Sequence, residues 1–322
     1  MMKEIATATE AFARDVAEGL GQSPKFLSSR YFYNQKGDAL FQAIMALDEY
    51  YLTRAEFSVF EEHKERLRNH CSPQGEPFRL IEFGAGDGTK TKVLLRHLVT
   101  QGNAFTYQPI DISQNVLDLL EGALAEELPE CKVSPVCAEY FEALAQIGAK
   151  DNTRKMVLFL GSNIGNFKEG DARSFFVRLH QHLNPGDRVM IGYDRKKNPA
   201  RVLAAYNDSQ GVTREFNLNL LDRINEELGG NFDREKFQHW PVYDPQSGEC
   251  RSYLVAKEAH EVHLEVIGET YSFAAWEPIF MEMSRKFAPA QIEAMAVAAG
   301  YRVLEHLTDA NGDFIDSVWE RV

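Results

Sequence analysis

A glycine-rich turn constrains the fold of this chain more than any other segment. Residues 82–88, Glu-Phe-Gly-Ala-Gly-Asp-Gly, follow the strand-like run that begins at Phe78 and precede a helix-like run at 89–98. Glycines at alternate positions let the backbone approach a ligand more closely than a Cβ would allow, and the following helix offers unpaired N–H groups. The segment therefore predicts a strand, a turn and a helix that bind a nucleotide-like ligand. It departs from the NAD fingerprint Gly-x-Gly-x-x-Gly, because Thr89 occupies the place of the third glycine.

Predicted strands and helices alternate between about residues 78 and 192. The predicted strands are 79–83, 106–111, 132–137, 156–160 and 188–192, and the predicted helices lie near 90–100, 114–126 and 170–182. Alternation on this scale predicts an α/β fold with a parallel sheet and right-handed crossovers.

The pattern changes after residue 196. Helices are predicted at 199–207 and 212–228, followed by a strand meander at 251–257, 260–267 and 269–275. A helix at 289–299 and strands at 301–307 and 314–320 then resemble the missing end of the first sheet. We therefore predict one domain from 60–195 with 286–322, and a second, α+β domain from 1–59 with 196–285.

Three polar or aromatic residues follow the predicted strands at the positions where a nucleoside would bind. Asp111 ends the second strand, at about the distance where an acid takes the ribose hydroxyls of a nucleotide. It is also a candidate N-cap for the helix that starts near Ser113, and both roles are compatible. Glu139 and Tyr140 follow the third strand and suit adenine, as an acceptor and a stacking surface.

Composition excludes several classes of function. A chain of 322 residues with 44% hydrophobic content can bury a substantial core, and its formal net charge of −13 disfavours nucleic acid as a partner. The four cysteines include no Cys-x-x-Cys pair and the nine histidines no His-x-x-x-His pair, so we predict no metal site. No apolar run approaches the roughly 20 residues that span a bilayer, and the N-terminal residues 1–8 lack the hydrophobic region of a signal peptide. We therefore expect no membrane contact and a cytoplasmic location.

Several separate segments together resemble the histidine Nα-methyltransferases of ergothioneine biosynthesis. The glycine turn itself resembles the first motif of the Rossmann-like methyltransferases that use S-adenosylmethionine (SAM). The other segments are Tyr31–Asn34, Ala39–Phe41, Glu49–Glu56, Phe159–Asn166, Leu203–Tyr206, Val212–Asn217 and Met281–Phe287. The resemblance runs nearly end to end. It implies a Rossmann-like SAM methyltransferase sheet with a second α+β substrate-binding domain, and three successive methyl transfers from SAM to the α-amine of L-histidine, giving hercynine.

The same resemblance implies two sets of site residues. The cofactor set, with Gly86 added from the glycine turn, is Tyr33, Gly84, Gly86, Lys90, Asp111, Glu139 and Tyr140. The L-histidine set, with Gly161 added from the Gly161–Asn166 run, is Tyr50, Gly161, Asn166, Tyr206, Glu282 and Ser284. Three positions depart from the family pattern: Glu139 and Tyr140 replace Asp and Phe, and Ser252 replaces a methionine beside the substrate side chain.

Glu282 and Ser284 make chemical sense as an imidazole site without the family. They lie two residues apart in a strand-like segment and therefore point to the same face. The carboxylate can accept the ring N–H, while the hydroxyl serves the other face or nitrogen of the ring. The alternative for Glu282 is a salt bridge with Arg285 or Lys286.

The remaining substrate candidates have structural alternatives. Asn166 follows a glycine at a strand end, where its amide suits an amino acid carboxylate or amine, but a turn or helix cap is the alternative. Tyr206 lies on a predicted helix and can donate its hydroxyl to that carboxylate. Core packing is the alternative for Tyr206, and also for Tyr33 and Tyr50. We predict that Tyr33 and Asn166 act in catalysis by orienting the lone pair of the amine.

Three rival functions follow from the same residues. The nearest is an N-methyltransferase of the same fold that acts on a different amino acid or amine, which the departure at Ser252 leaves open. A SAM-binding protein without turnover is disfavoured because the substrate set is as complete as the cofactor set. An NAD oxidoreductase is disfavoured by Thr89.

Overall fold

The computed structural model describes residues 2–147 and 152–322, which form ten α-helices and fourteen β-strands. The helices are α1 Met2–Gly21, α2 Gln35–Met45, α3 Leu52–Cys71, α4 Thr91–Thr100, α5 Gln114–Glu127, α6 Tyr140–Ile147, α7 Glu169–His182, α8 Pro199–Tyr206, α9 Val212–Leu228 and α10 Pro289–Ala298. The strands are β1 Lys25–Phe26, β2 Phe78–Phe83, β3 Phe105–Asp111, β4 Lys132–Val133, β5 Val136–Cys137, β6 Arg154–Phe159, β7 Arg188–Asp194, β8 Phe237–Asp244, β9 Glu249–Ala256, β10 His260–Leu264, β11 Glu269–Phe273, β12 Pro278–Arg285, β13 Tyr301–Thr308 and β14 Phe314–Arg321.

The chain divides into two compact units, each assembled from separate segments. The large-sheet unit comprises Leu52–Lys196 and Arg285–Val322. The small-sheet unit comprises Met1–Tyr51 and Lys197–Ser284. The chain therefore leaves the large-sheet unit once and returns to it.

The large-sheet unit is built on an eight-stranded sheet of order β13-β14-β7-β6-β2-β3-β4, in which β5 also pairs with β3. Strand β2 pairs in parallel with β3 and β6, and β6 pairs in parallel with β7. Strand β14 is antiparallel to both β7 and β13. The predicted α/β fold class, with a parallel sheet completed by an antiparallel strand near the C-terminus, is confirmed.

Both faces of this sheet are covered by helices, as a parallel sheet requires. Side chains at alternate positions of β2 point to opposite faces: Ile81 packs in the core with α7 and α10, whereas Leu80 packs in the core with α3, α4 and α5. Strand β6 repeats the alternation with Val157 and Leu158. This two-sided burial explains why these strands are continuously apolar in the sequence.

The strand predicted at 132–137 is interrupted. It consists of two short pieces, β4 and β5, which both pair in parallel with β3. Pro135 lies between them and has no N–H to donate to a ladder. The preceding Ser134 N–H bonds to the Tyr107 carbonyl at 2.8 Å. The prediction of one continuous strand is therefore wrong at its centre.

The small-sheet unit contains a four-stranded sheet of order β1-β12-β9-β8 and a separate hairpin of β10 and β11. Apolar side chains of α1 and α9, including Phe12 and Leu220, pack in one core with Leu254 and Met281 of the sheet. The predicted meander is wrong in its pairing, because β9 pairs with β8 and β12 rather than with β10. Strand β8 was not predicted. It alternates buried Phe237 with exposed residues along its length.

Candidate functional site

The glycine turn links β2 to α4 as predicted. The Gly84 N–H donates to the Ile110 carbonyl at 2.8 Å, which ties the turn to the adjacent strand. Gly84, Gly86 and Gly88 have φ values of 65°, 54° and 65°, in the left-handed region that favours glycine. A Cβ at Gly84 would lie 3.2 Å from the Tyr140 hydroxyl, whereas no described atom lies within 4 Å of a Cβ at Gly86. The backbone at Gly86 is thus open to close approach by a ligand.

Asp111 ends β3 and accepts a hydrogen bond from the Ser113 N–H at 3.0 Å. Ser113 itself caps α5, since its side chain accepts from the Val116 N–H at 3.3 Å. The alternative interpretation of Asp111 as the helix N-cap is therefore wrong. Its carboxylate instead closes the turn that leads into the helix.

Tyr140 begins α6, and its ring centroid lies 4.9 Å from that of Phe83 at the end of β2. Burial raises the pKa of Tyr140 to about 12, and the negative charges of Asp111 and Glu139 act in the same direction. The phenol is therefore a hydrogen-bond donor at neutral pH. The structure brings the three predicted nucleoside residues into one electrostatic neighbourhood, with Glu139 exposed and the other two half-buried.

Lys90 lies at the N-terminus of α4 and forms an ion pair with Glu56. Burial lowers the pKa of Lys90, but the Glu56 carboxylate outweighs burial and the pKa lies above its usual value. Glu56 also accepts the Gly161 N–H, at 2.8 and 3.0 Å from its two oxygens. The structure thus joins two predicted site residues through a third that was not predicted. The available signal was its position as the last residue of the Glu49–Glu56 run.

A strained turn follows β6 and carries Asn166. Ser162 adopts a left-handed conformation with φ of 57°, and its hydroxyl accepts the Asp194 N–H at 3.0 Å. A 3-10 helix over Asn163–Asn166 follows, so Asn166 is the last residue of the helix rather than a cap, and its side chain is exposed. A Cβ at Gly165 would lie 2.7 Å from the Arg285 carbonyl oxygen. The turn is therefore fixed on several sides while Asn166 faces outward.

Three of the predicted L-histidine residues of the small-sheet unit, Tyr50, Tyr206 and Ser284, lie together at the end of α8. The Tyr206 hydroxyl donates to Ser284 Oγ at 2.9 Å, and the Tyr206 ring centroid lies 6.5 Å from that of Tyr50. Ser284 is buried and Glu282, on the same strand, is half-buried. In the large-sheet unit, Lys286 pairs with Asp194 at 2.9 Å, both fully buried, so Lys286 has a carboxylate other than that of Glu282.

Tyr33 is 47% exposed and makes edge contacts with two aromatic rings. Its ring centroid lies 5.6 Å from that of Phe41 and 5.7 Å from that of Phe216. The ring is supported on one side and accessible on the other. Tyr33 therefore packs against other aromatic rings, as the alternative interpretation expects, and still has a free face for a ligand.

Ser252 belongs to a buried polar chain. Its hydroxyl donates to Asn217 Oδ1 at 2.9 Å and lies 2.7 Å from His239 Nε2. Burial lowers the pKa of His239 to about 4, so the imidazole is neutral. Ser252 is thus engaged with two polar partners.

The described part of the chain contains neither a candidate metal site nor a candidate membrane span. Among residues 2–147 and 152–322, no cluster of three His, Cys, Asp or Glu side chains is arranged to hold a metal ion. None of the helices in those ranges has the length and hydropathy that a bilayer crossing requires.

Comparisons with known proteins give a consistent result. The family described as "Histidine-specific methyltransferase, SAM-dependent" matches residues 12–321. A histidine N-alpha-methyltransferase from Mycobacterium tuberculosis is 34% identical over 94% of this chain and 93% of its own length. Ergothioneine biosynthesis protein 1 from Neurospora crassa is 31% identical over 89% of this chain, which spans only 32% of that protein. An L-tryptophan methyltransferase from Psilocybe serbica is 23% identical over 92% of this chain and 89% of its own length.

Proposed function

Because this chain belongs to the family of histidine-specific, SAM-dependent methyltransferases, we propose that it transfers methyl groups from SAM to the α-amine of L-histidine. Three successive transfers would give hercynine, the trimethylated betaine, as a step of ergothioneine biosynthesis. The relative from Mycobacterium tuberculosis, which matches over nearly its whole length, supports the reaction. The relative from Neurospora crassa supports the pathway.

The large-sheet unit fits SAM as a ligand. The left-handed backbone of Gly84 and Gly86 follows a parallel strand, where a nucleoside can lie against the peptide groups. We propose that Asp111 accepts the ribose hydroxyls, that Glu139 and Tyr140 hold the adenine, and that Lys90 pairs with the carboxylate of the methionine moiety. The methyl group of SAM is already activated by its sulfonium, so no covalent enzyme intermediate is required.

The main task of the chain is then to orient a neutral amine. Holding two reactants in line can supply about 7–11 kcal/mol of a barrier. We propose that Tyr33 and Asn166 orient the lone pair of the α-amine, which must first lose a proton. A nearby positive charge lowers the pKa of an amine, so water suffices as the proton acceptor. Both proposed residues expose their side chains, as a ligand contact requires.

The hydrogen bond between Tyr206 and Ser284 is the observation that carries the assignment of the side-chain pocket. A serine hydroxyl accepts and donates at once, so Ser284 can accept the hydrogen bond from the Tyr206 hydroxyl and still donate its own hydrogen to the unprotonated nitrogen of an imidazole. Glu282, on the same strand, would accept the N–H of the other ring nitrogen. We also propose that Tyr206 donates to the α-carboxylate of histidine when the ligand is bound. Its single O–H then leaves Ser284, whose own hydroxyl still donates to the imidazole.

A second candidate is an N-methyltransferase that prefers a different amino acid. It is favoured by Ser252, which occupies the position of a methionine and bonds to Asn217 and His239. The relative from Psilocybe serbica, which is named for tryptophan and matches over most of its length, also supports this candidate. The polar pair of Glu282 and Ser284 nevertheless matches an imidazole better than an indole, which has one N–H and no ring acceptor.

Competition kinetics with Glu282→Ala test the proposed substrate. A site built to hydrogen-bond a ring N–H rejects side chains that lack one by about 10⁴–10⁵ in kcat/KM. Wild type should therefore strongly prefer histidine over phenylalanine and leucine, and Glu282→Ala should lose histidine activity while the preference narrows. Glu269→Ala, on β11 of the same unit, is the matched control and should keep the preference. A wild type that prefers another amino acid, or a Glu282→Ala variant with the full preference, would contradict the assignment.

A further inference from the structure

Glu56 is a buried carboxylate with an unusual set of partners. It lies one turn into α3, is 1% exposed, and pairs with the Lys90 ammonium. Its two oxygens also accept the Gly161 N–H, at 2.8 and 3.0 Å. A Cβ at Gly192 on β7 would overlap Glu56 Oε1, so only glycine leaves room for this carboxylate against the sheet. Three separate segments of the chain, which carry Lys90, Gly161 and Gly192, therefore fix the position of this carboxylate.

A second buried carboxyl group lies against the first. Asp316 on β14 is fully buried, and no described donor reaches either of its oxygens. It lies close enough to Glu56 for the charge of that carboxylate to act on it. Two buried carboxyl groups this close to each other repel when both are ionised, so the uncharged form of one of them is favoured.

The environment decides which group holds that proton. Burial, and then the negative charge of Glu56, raise the pKa of Asp316 well above its usual range, although Lys90 opposes them. Glu56 has an ammonium and a backbone N–H as donors, whereas Asp316 has neither. The proton therefore resides on Asp316, and the negative charge on Glu56.

We propose that Glu56 is a positioning residue, a charged anchor that holds the Lys90 ammonium and the Gly161 amide in fixed relation to each other. This inference rests on the proposed function, in which Lys90 contacts the cofactor and Gly161 opens the turn that carries Asn166. A lysine ammonium sits on a flexible four-carbon side chain, so its position depends on a fixed partner. One carboxylate thus couples a cofactor contact to the backbone of a substrate contact.

The proton assignment makes the two carboxyl groups respond differently to amide substitution. Glu56→Gln keeps the shape but removes the charge, which leaves Lys90 without its counterion. It should weaken binding of S-adenosylhomocysteine by about tenfold or more, the scale of one charge-assisted hydrogen bond. Asp316→Asn replaces a protonated acid by another donor, so its affinity should stay within about twofold of wild type. Titration calorimetry with the purified full chain measures both.

Two further variants separate positioning from general loss of structure. Asp187→Asn removes a different buried acid, which pairs with Lys155 at 3.4 Å. This pair lies at the N-terminal ends of β6 and β7, away from Glu56, so the substitution should lower Tm without changing the affinity for S-adenosylhomocysteine. Lys90→Met removes the residue through which Glu56 acts on the cofactor. Adding Glu56→Gln to Lys90→Met should then cost little further affinity, a non-additivity that mere destabilisation would not produce.

Kinetics extend the test to the amino acid side. Glu56→Gln should raise KM for both SAM and histidine, because Glu56 anchors both Lys90 and the Gly161 turn. Glu56→Asp keeps the charge and should raise both KM values less.

Unchanged affinity in a folded Glu56→Gln protein, or an equal loss in Asp316→Asn, would overturn the inference. A wild type that binds S-adenosylhomocysteine but does not methylate histidine would overturn only the proposed substrate, because the calorimetric comparison stands apart from it.

Discussion

Glu82 lies at the end of β2, directly before the glycine turn, and it is buried. Thr91 Oγ1 donates to its carboxylate at 2.7 Å, and the Tyr107 hydroxyl donates to the other oxygen. Burial raises the pKa of Glu82 to about 7 even though both donors lower it. A buried acid in this position links the stability of the large-sheet unit to pH.

The sign of this linkage follows from the raised pKa of Glu82. The folded protein favours the neutral carboxyl group, so its stabilising contribution is complete below about pH 4.5 and is lost as pH rises to about 7. The change in the free energy of unfolding amounts to about 3 kcal/mol. Urea unfolding of wild type and Glu82→Gln at about pH 5 and about pH 7.5 measures it, with Glu121→Gln on the surface of α5 as control. Equal pH dependence in wild type and Glu82→Gln would contradict the assignment.

Asp111 is the residue on which the proposed ribose contact depends. Asp111→Ala should weaken the binding of SAM by about 1.5–3 kcal/mol, the usual range for a hydrogen bond to a charged group. Asp111→Asn should lose less, because its amide oxygen can still accept from the Ser113 N–H and hold the turn. Calorimetry on the three proteins decides, with Asp118→Ala on the exposed face of α5 as control. Wild-type affinity in folded Asp111→Ala would exclude the ribose contact.

Tyr206→Phe removes one oxygen from the proposed amino acid site. It should raise KM for histidine about tenfold while SAM affinity stays unchanged, because the phenol bonds to Ser284 and is the proposed donor to the ligand. Tyr271→Phe is the matched control, since it removes a hydroxyl that donates to Glu269 at 2.8 Å in the same unit. If both variants match wild type with histidine below saturation, Tyr206 does not contact the substrate.

At the residue scale, the sequence predicted well those residues whose role depends on local chain geometry. It predicted poorly those whose role depends on partners far away along the chain. The glycines of the turn were identifiable because alternate glycines directly after a strand are typical of a turn that admits a ligand close to the backbone. Glu56 was not identified, because its partners Gly161 and Asp316 are more than a hundred residues away along the chain. A buried glutamate in the sequence of an amphipathic helix looks the same as an exposed one.

The turn after β6 provides a prediction at the scale of a single element. Gly165→Ala would place a Cβ 2.7 Å from the carbonyl oxygen and 3.0 Å from the nitrogen of Arg285, both backbone atoms that cannot move aside. The turn should shift together with Asn166, with a loss of about 1–3 kcal/mol in stability and a higher KM for histidine. Thermal unfolding and steady-state kinetics measure the two effects.

Gly170→Ala is the control for this substitution. Gly170 lies in the first turn of α7, and no described atom is within 4 Å of a Cβ built there. Alanine is favoured over glycine in a helix by up to about 1 kcal/mol, so this variant should be as active as wild type and slightly more stable. Equal behaviour of the two alanine variants would mean that the close approach at Gly165 is not required.

Helices were predicted more accurately than strand pairings, because the periodicity of apolar residues marks a helix but does not show which strands pair. Helices α4, α5, α7 and α9 were predicted nearly to their ends, because their apolar residues repeat at helical spacing. The partners of the strands were harder to predict, because turns decide which strands pair. The 245–248 turn, with Gly248 at φ of 82°, folds β8 onto β9, and β10 pairs with β11 instead. Helix α3 was not predicted, although its buried Val59, Phe60 and Leu67 fit helical spacing.

At the scale of the whole molecule, the chain completes its main sheet only after a long interruption. Strand β14 pairs with β7 from Arg188 to Asp194, more than a hundred residues earlier in the sequence, as the predicted antiparallel strand required. The change of pattern after residue 196 was visible in the sequence because alternation of strand and helix stopped there. The alternation and the family resemblance carried the fold class, whereas the sequence could not reveal the buried Glu56–Asp316 pair.

The central claim, that this chain methylates the α-amine of histidine, is tested most directly without any variant. The purified protein is incubated with SAM and an equimolar mixture of the twenty amino acids, and the products are followed by mass spectrometry. We predict that histidine gains one, two and then three methyl groups, with one S-adenosylhomocysteine formed for each methyl group transferred, while other amino acids stay essentially unmodified. Preferential methylation of any other amino acid, or no methylation at all by protein that binds SAM, would contradict the account.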